Sequence, residues 1–459
     1  MARQLSPIML FTLLILLTLQ TFAQHRRSYL DSLLKTTVQN YPLIKAKHLR
    51  SQALEEGIKA KQSTIIPSLT ASYQADYATY NNITGMVYPQ YIVPITGPVS
   101  AANNYSGTFG SAAALNLSWE PVTFGQRKAD VELAKGNLQY GQADENLTIF
   151  QQQIYVINAW LNYALLDDLA KVYQQNIDRT VFNVKQSQTL VSSGMRPGTD
   201  SASFNAELIR ARIQLIAYER QRDSSLRSLT ALSGGTLPEG IATDTALFAV
   251  VPQVGILPDT STDEHPAVKL QQMSVATNEL LLTSLKKNTM PKLTLWSVGY
   301  GRGSGVAANG TVTGGDGWQF ERYNYGIGAQ LSFPVLEVFR QKPIWRQQQL
   351  TTDASREQLA QTKLDIQTQD QIAGDNFRKA MEVVKITPQQ LASANFSYQA
   401  ILSRYQSGLV NYYDVIQAQQ LLFQSQANVA VAYYNAWKSL LNKAAYAGNI
   451  NLFLTAYHQ

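Results

Sequence analysis

The side chains able to do chemistry are few and scattered. Four histidines are present, His25, His48, His265 and His458. No two of them fall at i, i+3 or i+4, the spacing by which a helix presents two imidazoles to zinc. Cysteine is absent, which removes thiolate metal sites, Cys nucleophiles and disulfide frameworks. The carboxylate pairs Asp167-Asp168 and Glu55-Glu56 sit in helical sequence and read as solvated faces. The glycines at 299, 301, 303 and 305 invite a phosphate loop, but their spacing fits neither nucleotide-binding pattern, and no strand–helix–strand unit surrounds them. They read as a strand-end loop. No Ser/His/Asp set converges on a nucleophile elbow. The sequence therefore predicts no catalytic residue, no metal site, no cofactor and no enzyme.

The composition points elsewhere. Charged residues make up 15% of the 459, against about 25% in soluble domains. Gln, Asn, Ser, Thr and Tyr supply the polarity instead. The net charge of +6 has no basic block, so no nucleic acid is expected as a partner. Arg3 precedes an apolar run, Ile8–Leu19, and Thr21-Phe22-Ala23 resembles a cleavage site. That is the pattern of a signal peptide over residues 1–23. No other run approaches the roughly 18 apolar residues of a membrane helix. The expected product is exported and does not cross the inner membrane by helices.

The rest of the chain is repeated. Tyr41-Pro42-Leu43-Ile44-Lys45 resembles His265-Pro266-Ala267-Val268-Lys269. Pro67 and Pro291 follow at equal distances. Leu117-Ser118-Trp119 matches Leu331-Ser332-Phe333, leading to Pro121 and Pro334. Ser193-Gly194 matches Ser407-Gly408, each with an Asp six after the Gly, and Gly234 matches Gly448. Five ordered landmarks predict two tandem repeats, 24–234 and 265–459. The segment 235–264, rich in Pro, Gly and Thr, reads as the linker between them.

Each repeat predicts long helices. Leu147, Ile154 and Leu161 recur every seven residues, as do Phe150, Ile157 and Ala164, an a/d seam. Leu165 and Val172 continue it with a shifted phase. A helix over 125–192 would be about 100 Å long, and 199–232 would be about half that. A further helix is expected over 26–63. The second repeat predicts helices at 267–288, 341–406 and 412–447, with Pro388 kinking the long one or opening a turn.

Four segments alternate with period two. Residues 67–80 place Leu69, Ala71, Tyr73, Ala75 and Tyr77 on one face, against Ser68, Thr70, Ser72, Gln74 and Asp76. Residues 108–119 and 323–333 behave alike, and a weaker strand begins at Leu293. The strand pairs occupy 67–119 and 291–333. About ten residues of alternation with aromatics near the ends is the pattern of a tilted transmembrane strand. Four strands cannot close a barrel, and an open edge cannot face lipid. Membranous strands would therefore require several copies of the chain in one barrel. A periplasmic coiled-coil scaffold with a small soluble sheet is the alternative.

Strand pairs between very long helices, repeated twice, with prolines at 67, 121, 291 and 334 and two Gly turns, resemble the TolC-like outer-membrane efflux family. The resemblance covers nearly all of the predicted mature chain. In that family the turns read roughly V-G-L/T with an Asp six after the Gly. Here they read Ser193-Gly194-Met195 with Asp200, and Ser407-Gly408-Leu409 with Asp414. The implied fold is mainly α with a membrane β-barrel part. Coiled-coil helices would form a periplasmic α-barrel, and a homotrimer would share a twelve-strand barrel in outer-membrane lipid. The implied function is a passive outer-membrane exit duct of a tripartite efflux or type I secretion system. Gly194, Met195, Gly408 and Leu409 would dock a periplasmic adaptor, linked to an inner-membrane pump of RND or ABC type. Asp200, Tyr405, Asp414 and Gln417 would line the tunnel-entrance gate. Asp414, repeated around the axis, would form an acidic ring favouring cations. Both aspartates also suit the first turn of a helix, where the dipole favours a carboxylate. The family's second acidic position is Gln417 here, and its gate Arg is Val410, a role that Arg404 or Arg196 could take.

Overall fold

In a computed structural model, residues 29–81, 99, 102–238, 250–252, 262–313 and 316–458 are described. The signal-peptide reading and most of the linker lie outside them. The chain divides into two compact units. One takes the described residues of Met1–Gln52, Gln139–Val275 and Ala354–Gln459; the other takes Ala53–Leu138 and Ala276–Asp353. Each unit draws on both sequence repeats.

The elements run α1 (residues 29–40), α2 (Pro42–Gln62), β1 (Ser68–Thr79), β2 (Gly107–Val122), α3 (Gln126–Ser192), α4 (Gly198–Leu232), α5 (Pro266–Lys287), β3 (Lys292–Ser304), β4 (Arg322–Ser332), α6 (Glu337–Gln406), α7 (Tyr412–Tyr446) and α8 (Asn451–His458). The fold class is the expected one, long helices with a small antiparallel sheet.

Three local expectations need correction. The helix expected over 26–63 is two helices, separated at Tyr41, because Pro42 lacks the N–H that would continue the ladder and disfavours helical backbone in the residue before it. Pro388 opens no turn, and α6 is continuous through it. Interior proline costs about 3 kcal/mol. Here its neighbours hold the helix, since Val384 is buried with Ala432 and Ala436 of α7 and the Thr387 hydroxyl donates to Val383 O. The fourth strand is full length, because β3 pairs along both β2 and β4. Of its glycines, which weaken the sequence signal, Gly301 and Gly303 face close neighbours: a Cβ on Gly301 would lie 3.1 Å from the Tyr323 ring, whereas nothing lies within 4 Å of one on Gly299.

Among its described residues the helical unit has two large apolar clusters besides the small one at Val384. Ile157, Trp160 and Leu161 of α3 pack with Leu30 and Leu33 of α1, Leu440 and Leu441 of α7, and Phe453 of α8. The second cluster joins α3, α4, α6 and α7 through Val184, Phe204, Tyr398, Tyr405, Val415 and Leu422. The a/d seam predicted for α3 supplies Phe150, Ile157, Leu161, Ala164 and Leu165 as buried residues. A buried polar chain crosses the second cluster. Asn183 Nδ2 donates to Gln419 Oε1 (2.6 Å), and Gln419 Nε2 donates to Asn176 Oδ1 (2.9 Å) and Thr180 Oγ1 (2.6 Å). With these partners in place, the network fixes the axial register of α7 on α3.

Sequence landmarks also meet in space. Gly234 has φ +91°, and a Cβ on it would lie 2.8 Å from Asn40 C; Gly448 has φ +69°, and a Cβ would lie 2.9 Å from His265 Cα. Each helix-ending glycine thus seats against the junction that carries the repeat's Pro42 or Pro266. His265 Nε2 lies 3.1 Å from Ala445 O, and its Nδ1 accepts from Ala267 N.

In the strand unit the order is β1-β2-β3-β4, all antiparallel. The central pairing joins the repeats, with Leu117 opposite Ser297. One face carries Leu69, Tyr73, Tyr77, Leu115, Leu117, Leu295, Tyr325 and Ile327 and no charged residue. Asp76, Lys292, Arg302 and Arg322 all lie on the other face. Glu120 sits in the irregularity between Trp119 and Val122. Tyr325 is 91% and Ile327 79% exposed, so the uncharged face near β4 has no cover among the described residues.

Candidate gate at the helical hairpin turns

Both predicted turns have the same backbone. In the first, Gly194 N–H donates to Val191 O and Met195 N–H to Leu190 O; in the second, Gly408 N–H donates to Tyr405 O and Leu409 N–H to Arg404 O. These paired bonds form a Schellman motif, which needs a left-handed residue at its centre. Gly194 has φ +72° and Gly408 φ +78°, and nothing lies within 4 Å of where either Cβ would be. The residue after such a glycine normally packs back on its own helix. Here Met195 is 65% and Leu409 70% exposed, so each tip presents an apolar side chain outward.

The two aspartates differ. Asp200 lies in the first turn of α4 and is buried. Its Oδ2 accepts from the Tyr405 hydroxyl at 3.2 Å, and the same hydroxyl lies 3.4 Å from Ser187 Oγ. Tyr405 is among the largest fully buried side chains. Burial, first, and the nearby Asp200 charge push its hydroxyl above the usual tyrosine range, while the Ser187 bond and Arg196 act in the other direction. Asp414 instead belongs to its own helix. Asn411 is the N-cap of α7, its Oδ1 accepting from Asp414 N (3.1 Å), while Asp414 Oδ2 accepts from Asn411 N (3.2 Å). That reciprocal pair is a capping box. Gln417 is exposed one turn on, beside Asp414 along the groove with Ser397 and Ile401 of α6.

Of the two arginines considered, Arg196 reaches across. It leaves the first turn and donates to Val410 O and Tyr405 O, with its guanidinium 4.8 Å above the Tyr405 ring. Those carbonyls belong to the end of α6 and the turn after it. Arg404 is exposed. Asp200, Tyr405 and Arg196 are therefore brought together with Ser187, whereas Asp414 and Gln417 lie on the other side of the second turn. Sequence reasoning did not single out Ser187 or Asn411. Asn411 had a legible signal, an Asn three before an Asp at a helix start; Ser187 had none.

A model of the outer membrane efflux protein family matches residues 33–235 and 257–449. The pyoverdine export outer membrane protein OpmQ of Pseudomonas aeruginosa is 21% identical over 407 residues, covering 86% of this chain and 80% of that protein. Among solved structures, CusC aligns with a TM-score of 0.73 at 13% identity, covering 92% of each chain. VceC from Vibrio cholerae aligns at 0.70 and 15% identity, covering 92% of this chain and 96% of that one.

Proposed function

Because this chain belongs to the outer membrane efflux protein family, we propose that it is the passive exit duct of a tripartite export system, working as a homotrimer. The observation that carries this reading is the sheet. It has a face without charge, and its outer strands, β1 and β4, each pair on one side only among the described residues. Such a sheet is stable in lipid only when its edges are closed. Edges of further copies close it, and three copies give the twelve strands of the expected barrel. The helices carry matching unpartnered stripes: Ile209, Ile213 and Ile216 of α4, at i, i+4 and i+7, are each more than half exposed. Second copies of the chain bury such stripes.

At the helical end, Met195 and Leu409 are the adaptor-docking side chains, with Gly194 and Gly408 shaping their turns. Tyr405, Asp200 and Arg196 hold the second hairpin against the first in the closed entrance. Asp414 and Gln417 line it, and Asp414 gives the acidic ring. Opening requires the Tyr405–Asp200 bond and the Arg196 contacts to part. Energy comes from an inner-membrane pump of RND or ABC type.

The chain has no cysteine, so a single Cys at Leu409 can carry a photo-crosslinker without background. In intact cells the expected product is a periplasmic adaptor joined to protein that fractionates with the outer membrane and runs as a trimer. Soluble protein after lysis would instead favour the scaffold reading.

A further inference from the structure

The sheet's charges are arranged as well as confined to one face. Arg302 and Arg322 are direct partners across β3 and β4. Gln74 and Ala112 complete that row on β1 and β2. Like charges directly opposite in adjacent strands are destabilising. Among the described residues no carboxylate pairs with either guanidinium; Arg322 donates only to the Glu321 carbonyl, at 2.9 Å. Both side chains are exposed. The row lies beside the β3–β4 connection, at the end of the sheet remote from the helix junctions at Pro67, Pro121, Pro291 and Pro334.

Among the described residues the β3–β4 connection leaves this row open. It folds onto the opposite, uncharged face, where Ser111 Oγ donates to Gly317 O at 2.6 Å and the Trp318 ring lies 5.2 Å from Phe109. Phe320 meets Tyr73 there at 6.3 Å. The contact is close, since a Cβ on Gly303 would lie 2.0 Å from Gln319 O. The described part of the loop is thus seated on the uncharged face, and the arginines lie on the other.

We propose that Arg302 and Arg322 form an anion-recognition band inside the outer mouth of the channel, favouring cargo that carries several carboxylate or phosphate groups. The inference rests on the trimeric barrel, in which the charged face lines the lumen and three copies arrange the pairs as a ring. A polyanion between paired guanidinium groups relieves their repulsion and accepts their hydrogen bonds. Asp76 lies one row outward on the same face, so the arginine pairs leave the band with a net positive charge, and a net charge of one sign concentrates the opposite ion by about tenfold or more. The acidic ring proposed at the helical end has the opposite preference, so the two ends of the duct would differ in selectivity.

The test is channel block in planar bilayers, with inorganic tripolyphosphate added to each side in turn. The wild-type trimer should be blocked from the side of the outer mouth. The double variant Arg302→Gln, Arg322→Gln should need about tenfold more tripolyphosphate. Lys292→Gln, on the same face at the opposite end of β3, should block like wild type. Raising salt from about 0.1 to 1 M should abolish the difference, as the screening length falls from about 10 to 3 Å. Equal block of the double variant, or an equal loss in Lys292→Gln, overturns the assignment while leaving the channel standing. Failure of every form to conduct removes the barrel, and this band with it.

Discussion

The two hairpin turns share a backbone and differ in chemistry. Both have a left-handed glycine, the same pair of capping bonds, an exposed apolar residue next and an aspartate six after the glycine. Yet Asp200 is buried and ties α4 to Tyr405 of the other hairpin, whereas Asp414 closes a capping box on its own helix. The difference arises from position in the bundle. Asp200 at the start of α4 faces Tyr405, the buried residue near the end of α6, whereas Asp414 at the start of α7 borders a groove. A repeated spacing preserves the turn, because turn geometry is local. It does not preserve the role of a side chain whose partner lies on another helix.

The largest expected effect comes from Asp200→Ala. It removes the acceptor of a buried hydroxyl, at a cost of about 1–3 kcal/mol, and amide exchange at the start of α4 and the end of α6 should speed up together. Asp414→Ala should loosen only the first turn of α7, by about 0.5–1 kcal/mol. Equal and equally widespread effects would erase the distinction between the turns.

Next comes Arg196→Lys. Lysine keeps the charge but loses the planar guanidinium that stacks on the Tyr405 ring while one of its nitrogens serves both carbonyls. A loss of about 1 kcal/mol is expected, with a rise in conductance of the resting channel. Unchanged conductance would leave Arg196 as a packing residue.

A smaller and sharper effect is pH. The buried Tyr405 hydroxyl titrates above its ordinary value, so the folded state favours its protonated form. The stabilisation is complete below about pH 10, the ordinary tyrosine value, and is lost as pH rises through the raised folded value. The thermal stability should therefore fall in strong alkali, and Tyr405→Phe should remove that alkaline step. A step that survives Tyr405→Phe belongs to another group.

What the sequence disclosed follows the same division between local and distant causes. The seams, glycine turns and alternating strands were legible because each is fixed by neighbours within a few residues. The ends of α3, α4, α6 and α7 at Gly194, Gly234, Gly408 and Gly448 are marked in the chain itself. Arg196 was legible only as a candidate, because its carbonyl partners lie 209 and 214 residues away. The continuity of α6 through Pro388 depended on packing against α7. Helix α8 was not foreseen: eight residues are too few to display a period. It is held by Phe453, 5.7 Å from Trp437, and by Tyr457, 5.4 Å from Trp160.

The pairing of β2 with β3 dictates an order of assembly. A hairpin such as α3–α4 closes around a turn of a few residues and can form as soon as its own segment has been exported. The centre of the sheet joins Gly110 to Ser304, so it waits until most of the chain has arrived. Contacts between distant segments are slow to form, because a long loop must be closed first. During that wait the β1–β2 hairpin presents an uncharged face and an unpaired edge to water, a state prone to aggregation. The slow and vulnerable stage in making this protein is therefore the joining of its two repeats, and a holding factor in the export compartment would act on the first strand pair before the second is delivered.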